Sequence, residues 1–301
     1  MSELVSTIYK HSRRIIRNLV TRNPTVDRLV GRSLVQIDVQ LQKLGIFDKF
    51  ANKTSVECHG LKFNIRPIDV PFARMLELNR DYEPATREAI LSILKPGSTF
   101  VDLGAHLGYF TMLAARQVGP AGRVYAFEPS PGTRQMLERN LSDNHLTGQV
   151  VVVDKASSDR KEQLRFLNTD HPEGNGVALP GEHENVITVE ATSLDEYFSA
   201  LGWPKVDLIK MDVEGQETRT LRGMKELIAR NKDLKVIFEY HLGQIDRLNL
   251  SKDEMFSVLN KLGFRNYSIL FRHNEPVRIP EQREYLDQQA RRANLNILAE
   301  C

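Results

Sequence analysis

Phe100-Val101-Asp102-Leu103-Gly104-Ala105-His106-Leu107-Gly108-Tyr109-Phe110 runs from an apolar strand through a glycine turn into a helix. The strand reaches its end at Asp102. Two glycines let the backbone turn tightly and approach a ligand, and the free N–H groups of the following helix face the strand tips. The spacing is D-x-G-x-x-x-G, not the G-x-G-x-x-G that cradles a dinucleotide pyrophosphate. Beyond this turn, strands are expected at 98–102, 122–127, 149–153, 206–211 and 234–240, and helices at 107–118, 131–143, 216–230 and 251–262. A final strand pair should follow Gly263. That alternation belongs to a doubly wound α/β domain with helices on both faces of the sheet.

Upstream of the turn, Pro84 suits the first turn of a helix that Pro96-Gly97 closes. Val56, Cys58, Leu61, Phe63 and Ile65 alternate as a short hairpin. Before them, Leu4, Ile8, Ile15 and Leu19 recur at helical spacing among Lys10, Arg13, Arg14 and Arg17. Asn23-Pro24 ends that helix, and a second follows through Leu34, Ile37, Leu41 and Leu44. The expected organisation is a basic, amphipathic helical extension over 1–50, a β-containing linker over 51–80, the main domain over 81–280, and a charged helix over 281–301. Within the main domain, 163–167 and 186–189 read as edge strands or an inserted hairpin. The Gly/Pro-rich stretch 172–181 between them reads as a mobile loop placed to act as a lid.

The bulk properties narrow the function classes. The chain has 301 residues, 41% of them hydrophobic and 27% charged, which suits a globular protein with a full core. Its two cysteines, Cys58 and Cys301, make neither a metal cluster nor a disulfide framework, so a reducing compartment is the simpler expectation. No apolar run has the length of a spanning helix, and the N-terminus lacks the pattern of a signal peptide. Seven Lys or Arg against two acids fall within residues 1–32, leaving the remainder slightly acidic. A nucleic-acid footprint over the main body is thereby excluded. Residues 1–22 suit either an anionic membrane surface or ordinary packing with a solvated basic face. A cytoplasmic protein, touching the inner membrane face at most peripherally, is the expectation; the oligomeric state is not indicated.

Two carboxylates decide between cofactor classes. Glu128 follows the strand Arg123–Phe127 and lies twenty residues beyond Gly108, where an acid can accept ribose hydroxyl hydrogen bonds. Asp102 adds a second negative group beside the turn. Both would repel a pyrophosphate, but they suit a nucleoside carrying an ammonium and a sulfonium, namely S-adenosylmethionine. Asp154 and Ala156, just after the third strand, are candidates for the adenine edge. Tyr82 and Glu83 would cover or bind the methionine end, and His106 would either direct a ring nitrogen there or pack in the turn.

On the reaction side, Asp212 and Glu214 follow the strand ending at Met211, and Glu239 and His241 end the next one. Methyl transfer to an alcohol needs the acceptor oxygen in line with the C–S bond and relieved of its proton. His241 or Asp212 can take that proton, while Glu214 or Glu239 orients a polyol. Alternatively, Asp212, Glu214 and Glu239 hold a hard cation such as Mg²⁺ that lowers the alcohol pKa, although the spacing defines no ligand geometry.

The chain resembles the FkbM family of S-adenosylmethionine-dependent methyltransferases. The resemblance lies in Asp81-Tyr82-Glu83-Pro84, Phe100 through Phe110, Gly122 through Pro129, Asn140 to Asn144, and above all Asp207-Leu208-Ile209-Lys210-Met211-Asp212-Val213-Glu214-Gly215-Gln216-Glu217. It implies a Rossmann-like class I methyltransferase fold with a mostly parallel seven-stranded sheet. It also implies cofactor binding by Asp102, Gly104, Gly108 and Glu128, with Asp212 and Glu214 on the reaction side. His106 departs from the family, which commonly has Asn there. The expected activity is O-methylation of a hydroxyl on a saccharide, glycolipid precursor or small metabolite. The alternatives are N- or carboxyl-methylation on the same cradle, a cofactor-binding scaffold without catalysis, and, third, an NAD-dependent dehydrogenase that lacks its fingerprint.

Overall fold

The structure is a computed structural model that describes residues 53–79, 81–168, 176–179, 181–270, 275–277, 279, 281–291 and 294–301. The two helices expected within 1–50 lie outside the described residues. The chain forms two compact units, one within Met1–His59 and Ile65–Asp81, the other made of Gly60–Asn64 with Tyr82–Cys301.

The first unit contains strand β1 (Ser55–Cys58), a 3₁₀ turn at Pro67–Asp69 and helix α1 (Val70–Asn79). Asp69 is buried, accepts the Arg66 backbone N–H at 2.7 Å and receives the Arg66 guanidinium at 2.9 Å on each oxygen, which anchors the turn. The linker expected over 51–80 is therefore substantially helical.

The second unit opens with β2 (Leu61–Asn64), α2 (Pro84–Ile93), β3 (Thr99–Leu103), α3 (Tyr109–Val118), β4 (Arg123–Phe127), α4 (Pro131–Asp143) and β5 (Val150–Val153). Next come β6 (Ala156–Ser157), β7 (Glu162–Leu167), β8 (Gly176–Val177), β9 (Val186–Thr192), α5 (Leu194–Ala200) and β10 (Leu208–Met211). The remainder is α6 (Glu217–Arg222), α7 (Lys225–Arg230), β11 (Lys235–Tyr240), α8 (Leu242–Arg247), α9 (Lys252–Leu262), β12 (Asn266–Ile269), β13 (Glu275–Val277), α10 (Arg283–Ala290) and β14 (Leu295–Glu300).

The main sheet has the order β13-β12-β14-β11-β10-β3-β4-β5. Strands β5, β4, β3, β10 and β11 pair in parallel, and β14 enters antiparallel between β11 and β12. Seven strands thus form the Rossmann-like methyltransferase sheet, and the short β13 extends its edge as an eighth. The central strands are buried on both faces, as Phe100, Val101, Leu103, Leu208, Ile209, Met211, Val236, Ile237 and Phe238 show. Their apolar runs, interrupted by Asp102 in β3 and Lys210 in β10, are what a sheet covered by helices on both sides requires.

Two details differ from expectation, and a third decides between two expectations. The helix anticipated over 216–230 is two helices, broken at Gly223, where a Cβ would stand 2.2 Å from the Ser158 carbonyl oxygen. Residues 281–301 are not all helix: α10 covers Arg283–Ala290, and the last stretch is strand β14. Its buried Leu295, Ile297 and Ala299 alternate with half-exposed neighbours, a period-2 pattern that charge alone obscured. The 163–167 and 186–189 stretches become β7 and β9 of a separate four-stranded sheet, order β6-β9-β7-β8, packed on Leu164, Val189 and Ala191. Of the loop expected at 172–181, Gly176–Val177 is strand, while 171–175 and 180 lie outside the described residues. Among the described residues, no helix is long and apolar enough to cross a membrane.

Candidate active site

The glycine turn is built by β3, β4 and β10 together. The Phe127 carbonyl accepts both the Gly104 and Ala105 N–H groups at 3.0 Å, and the Asp212 N–H donates to the Leu103 carbonyl at 3.0 Å. Gly104 has φ +82°, and a Cβ on it would lie 2.0 Å from the Asp212 carbonyl oxygen. Only glycine satisfies both constraints. His106 also sits at positive φ, +52°, a conformation in which Asn, Asp and His are enriched. Behind the turn, buried Asn140 donates to the Leu107 carbonyl at 2.9 Å and accepts from the Asn64 backbone and side chain.

Glu128 is buried at the tip of β4. One carboxylate oxygen accepts the His106 N–H and the other the Ser130 N–H, each at 2.9 Å, so the side chain clamps the turn to the start of α4. A carboxylate at this place is the acceptor type that ribose hydroxyl groups require. Asp102 is 1% exposed; Oδ2 accepts the Thr111 hydroxyl at 2.6 Å, and Oδ1 is buried with no hydrogen-bond partner. Burial raises the Asp102 pKa, and nearby Lys210 partly offsets the rise. Asp154 is exposed beyond β5, and Ala156 opens β6 against Ala191 of β9. Tyr197 stands near Asp154, packed on Phe127 with ring centroids 5.0 Å apart. The close approach at Gly104, the orphaned buried oxygen of Asp102 and the Glu128 carboxylate at the tip of β4 together fit a cationic, phosphate-free nucleoside.

Lys210 lies in the quoted 207–217 stretch, but the sequence assigned it no role in the site. Its side chain is 3% exposed, its ammonium donates to Asp212 at 3.0 Å, and it sits 4.9 Å from the Phe110 ring centroid. Burial opposes the charge, but the carboxylates of Asp212, Asp102 and Glu83 outweigh it and hold the pKa above the ordinary lysine value. Glu83 caps α2 in the left-handed conformation, accepts from Asn296 at 2.9 Å, and has its pKa raised by burial. Tyr82 packs edge-on against Tyr109, whose hydroxyl accepts the Tyr82 N–H at 3.3 Å.

The remaining expected residues converge at the tips of β10 and β11. Ligand atoms of Glu214, Glu239 and His241 all lie within 4.8 Å of one another. Gln244, another residue the sequence did not single out, donates to Glu214 at 2.7 Å. Burial and then the charges of Asp212, Glu214, Glu217 and Glu83 push the Glu239 pKa up to about 9. Burial lowers that of His241. Asp212 lies close enough for its charge to act on both Glu239 and His241, and it is bonded to Lys210.

The methyltransferase FkbM domain matches residues 102–266, a stretch of more than half the chain that contains the turn, Glu128 and the acidic cluster. The chain belongs to the FkbM methyltransferase family. Among its relatives are 31-O-demethyl-FK506 methyltransferase FkbM of Streptomyces tacrolimicus, 29% identical with 44% of this chain and 62% of that protein covered. Methyltransferase sdnD of Sordaria araneosa is 28% identical, covering 44% and 62%. Hexuronic acid methyltransferase AglP of Haloferax volcanii is also 28% identical, covering 50% and 59%. The chain thus spans about three-fifths of the length of these relatives.

Proposed function

We propose that the chain is an S-adenosylmethionine-dependent O-methyltransferase whose acceptor is a hydroxyl of a saccharide, glycolipid precursor or small metabolite. The observation that carries this reading is the meeting of Asp212, Glu214, Glu239 and His241 at the tips of β10 and β11, next to the turn that packs on Asp212. Family membership and relatives named for a hexuronic acid and for a 31-O position support the choice of oxygen acceptor.

S-adenosylmethionine, when bound, supplies an electrophilic methyl group on a sulfonium. The chain's own residues do the rest. Gly104 and Gly108 bring the backbone close, the Glu128 carboxylate accepts from the ribose, and Asp154 and Ala156 border the adenine side. Asp102, Glu83 and Tyr82 shape the amino-acid end, with Lys210 balancing the carboxylates. Glu214 and Glu239 orient the acceptor's hydroxyl groups. Asp212 and His241 would accept the hydroxyl proton released when the acceptor oxygen takes the methyl group and the C–S bond breaks to leave a neutral thioether. Cytoplasmic placement and peripheral membrane contact through residues 1–22 belong to this proposal, resting on a composition with two cysteines and on the basic N-terminal stretch.

The test uses methyl-labelled S-adenosylmethionine with a panel of uronic acids, oligosaccharides and polyhydroxylated metabolites, the product being located by mass spectrometry. Label in an ether methyl group is the expected result. Failure to bind S-adenosylmethionine removes the reading, and label found only on nitrogen or carboxylate replaces it with the corresponding methyltransferase.

A further inference from the structure

We infer that Glu214, Glu239 and His241 form a binding site for one divalent first-row cation of the Mn²⁺ type. Glu239 and His241 stand two residues apart at the end of β11, so the period of the strand turns both side chains to one face. Glu214 meets them from the turn after β10. Ligands held about 2.1 Å from one ion lie roughly 3 to 4 Å from each other. The 4.8 Å limit on the three ligand atoms needs only a small closure to reach that range.

The contacts within the trio point the same way. His241 Nδ1 is buried, has no hydrogen-bond partner, and stands 3.7 Å from a Glu239 carboxylate oxygen. That separation is too long for a hydrogen bond but suits two ligands of one ion. Glu239 has an 11% exposed side chain, and among the described residues its one ion-pair partner is that same imidazole. A carboxylate so placed needs a positive charge nearby, and the buried ammonium of Lys210 is bonded to Asp212 instead. Gln244 fixes Glu214 from outside, as outer-shell partners of metal ligands do.

The donor set also separates cation classes. Mg²⁺ prefers all-oxygen surroundings, as Asp212, Glu214 and Glu239 would have offered, whereas an imidazole nitrogen with two carboxylates favours a first-row transition ion. Three protein ligands leave positions open to hydroxyl oxygens, and Asp212, outside the ligand set, then remains to take a proton. Cation binding requires neither S-adenosylmethionine nor an acceptor, so it stands or falls separately from methyl transfer.

The experiment titrates Mn²⁺ into the full-length, EDTA-stripped protein without S-adenosylmethionine, following free Mn²⁺ by electron paramagnetic resonance. One ion per chain is expected, with affinity at least about tenfold weaker in Glu239→Gln and His241→Ala. Asp253→Asn, at an exposed acid on α9, should bind as the parent does. Glu214→Gln, on a different element, serves if either variant loses its melting transition. Absence of saturable binding, or unchanged affinity in the folded ligand variants, overturns the site.

Discussion

Gly104 carries the tightest steric demand in the site, because the tips of β3 and β10 meet there with no room for a side chain. An alanine Cβ would stand 2.0 Å from the Asp212 carbonyl oxygen at a φ of +82°. Left-handed strain alone costs about 1–2 kcal/mol, and the opposing atom is backbone that cannot rotate aside. Gly104→Ala should therefore lower stability by about 3 kcal/mol or more in urea denaturation and abolish S-adenosylmethionine binding by calorimetry. A folded variant with parental affinity would contradict the close approach. Lys210 makes the complementary case. Lys210→Met leaves Asp212, Asp102 and Glu83 without their buried cation, for which about 3–5 kcal/mol is the usual loss. The loss should be smaller at pH 5 than at pH 8, since burial already favours protonation of Asp102 and Glu83. The glycine was legible from spacing alone, as strand, turn and helix leave one place for it. The lysine was not, because a cation inside Leu208-Ile209-Lys210-Met211 declares its burial only once Asp102 and Glu83 from two other segments join Asp212 around it.

At the scale of elements, α6 shows why a helical pattern can be read correctly and its electrostatics missed. Glu217 begins this helix, is 8% exposed and accepts the Val213 N–H at 3.1 Å, a local device that sequence suggests. Its burial depends on the sheet above and lifts its pKa to about 7. The folded chain thus holds this proton more tightly than the unfolded chain does. The resulting stabilisation is complete below about pH 4.5, declines through the interval and is gone above about pH 7. By linkage it amounts to about 3 kcal/mol at most. Denaturant midpoints measured from pH 4.5 to 8 in EDTA should fall less steeply for Glu217→Gln than for the parent; parallel curves would refute the shift. The four-stranded inserted sheet offers a second element-scale expectation. A Cβ on Gly176 of β8 would touch the Glu214 side chain at 3.1 Å, and Arg247 of α8 bonds both the Val177 carbonyl and the Glu182 carboxylate. These contacts pin β8 over the acidic cluster. Arg247→Ala should raise the acceptor KM several-fold while leaving the melting midpoint nearly unchanged, since partly exposed ion pairs stabilise little. Two strands of this sheet were legible as edge strands or an inserted hairpin, but the choice between the two was not, because register between distant strands leaves no local mark.

The whole molecule is closed by its last strand. Residues 281–301 look charged and helical in sequence, and half of that reading holds, in α10. The other half fails because β14 has no independent reason to be extended: its alternation matters only when β11 and β12 are already side by side to receive it. Val236–Tyr240 pairs with Ala299–Leu295 on one side, and Asn266–Ile269 with Glu300–Ile297 on the other. Asn296 also reaches Glu83, tying this strand to the cofactor side of the site. Removing residues 295–301 would therefore expose buried faces of two strands and leave the ladder groups of both β11 and β12 unpaired within the sheet. Each unpaired buried group costs about 1–3 kcal/mol, and several are lost together, a sum comparable with the roughly 5–15 kcal/mol stability typical of a domain. The shortened chain should lack a cooperative melting transition by circular dichroism, and a synthetic Leu295–Cys301 peptide added in excess should restore it in part. A truncated chain that melts cooperatively and binds S-adenosylmethionine would mean that the sheet is complete without its central antiparallel strand.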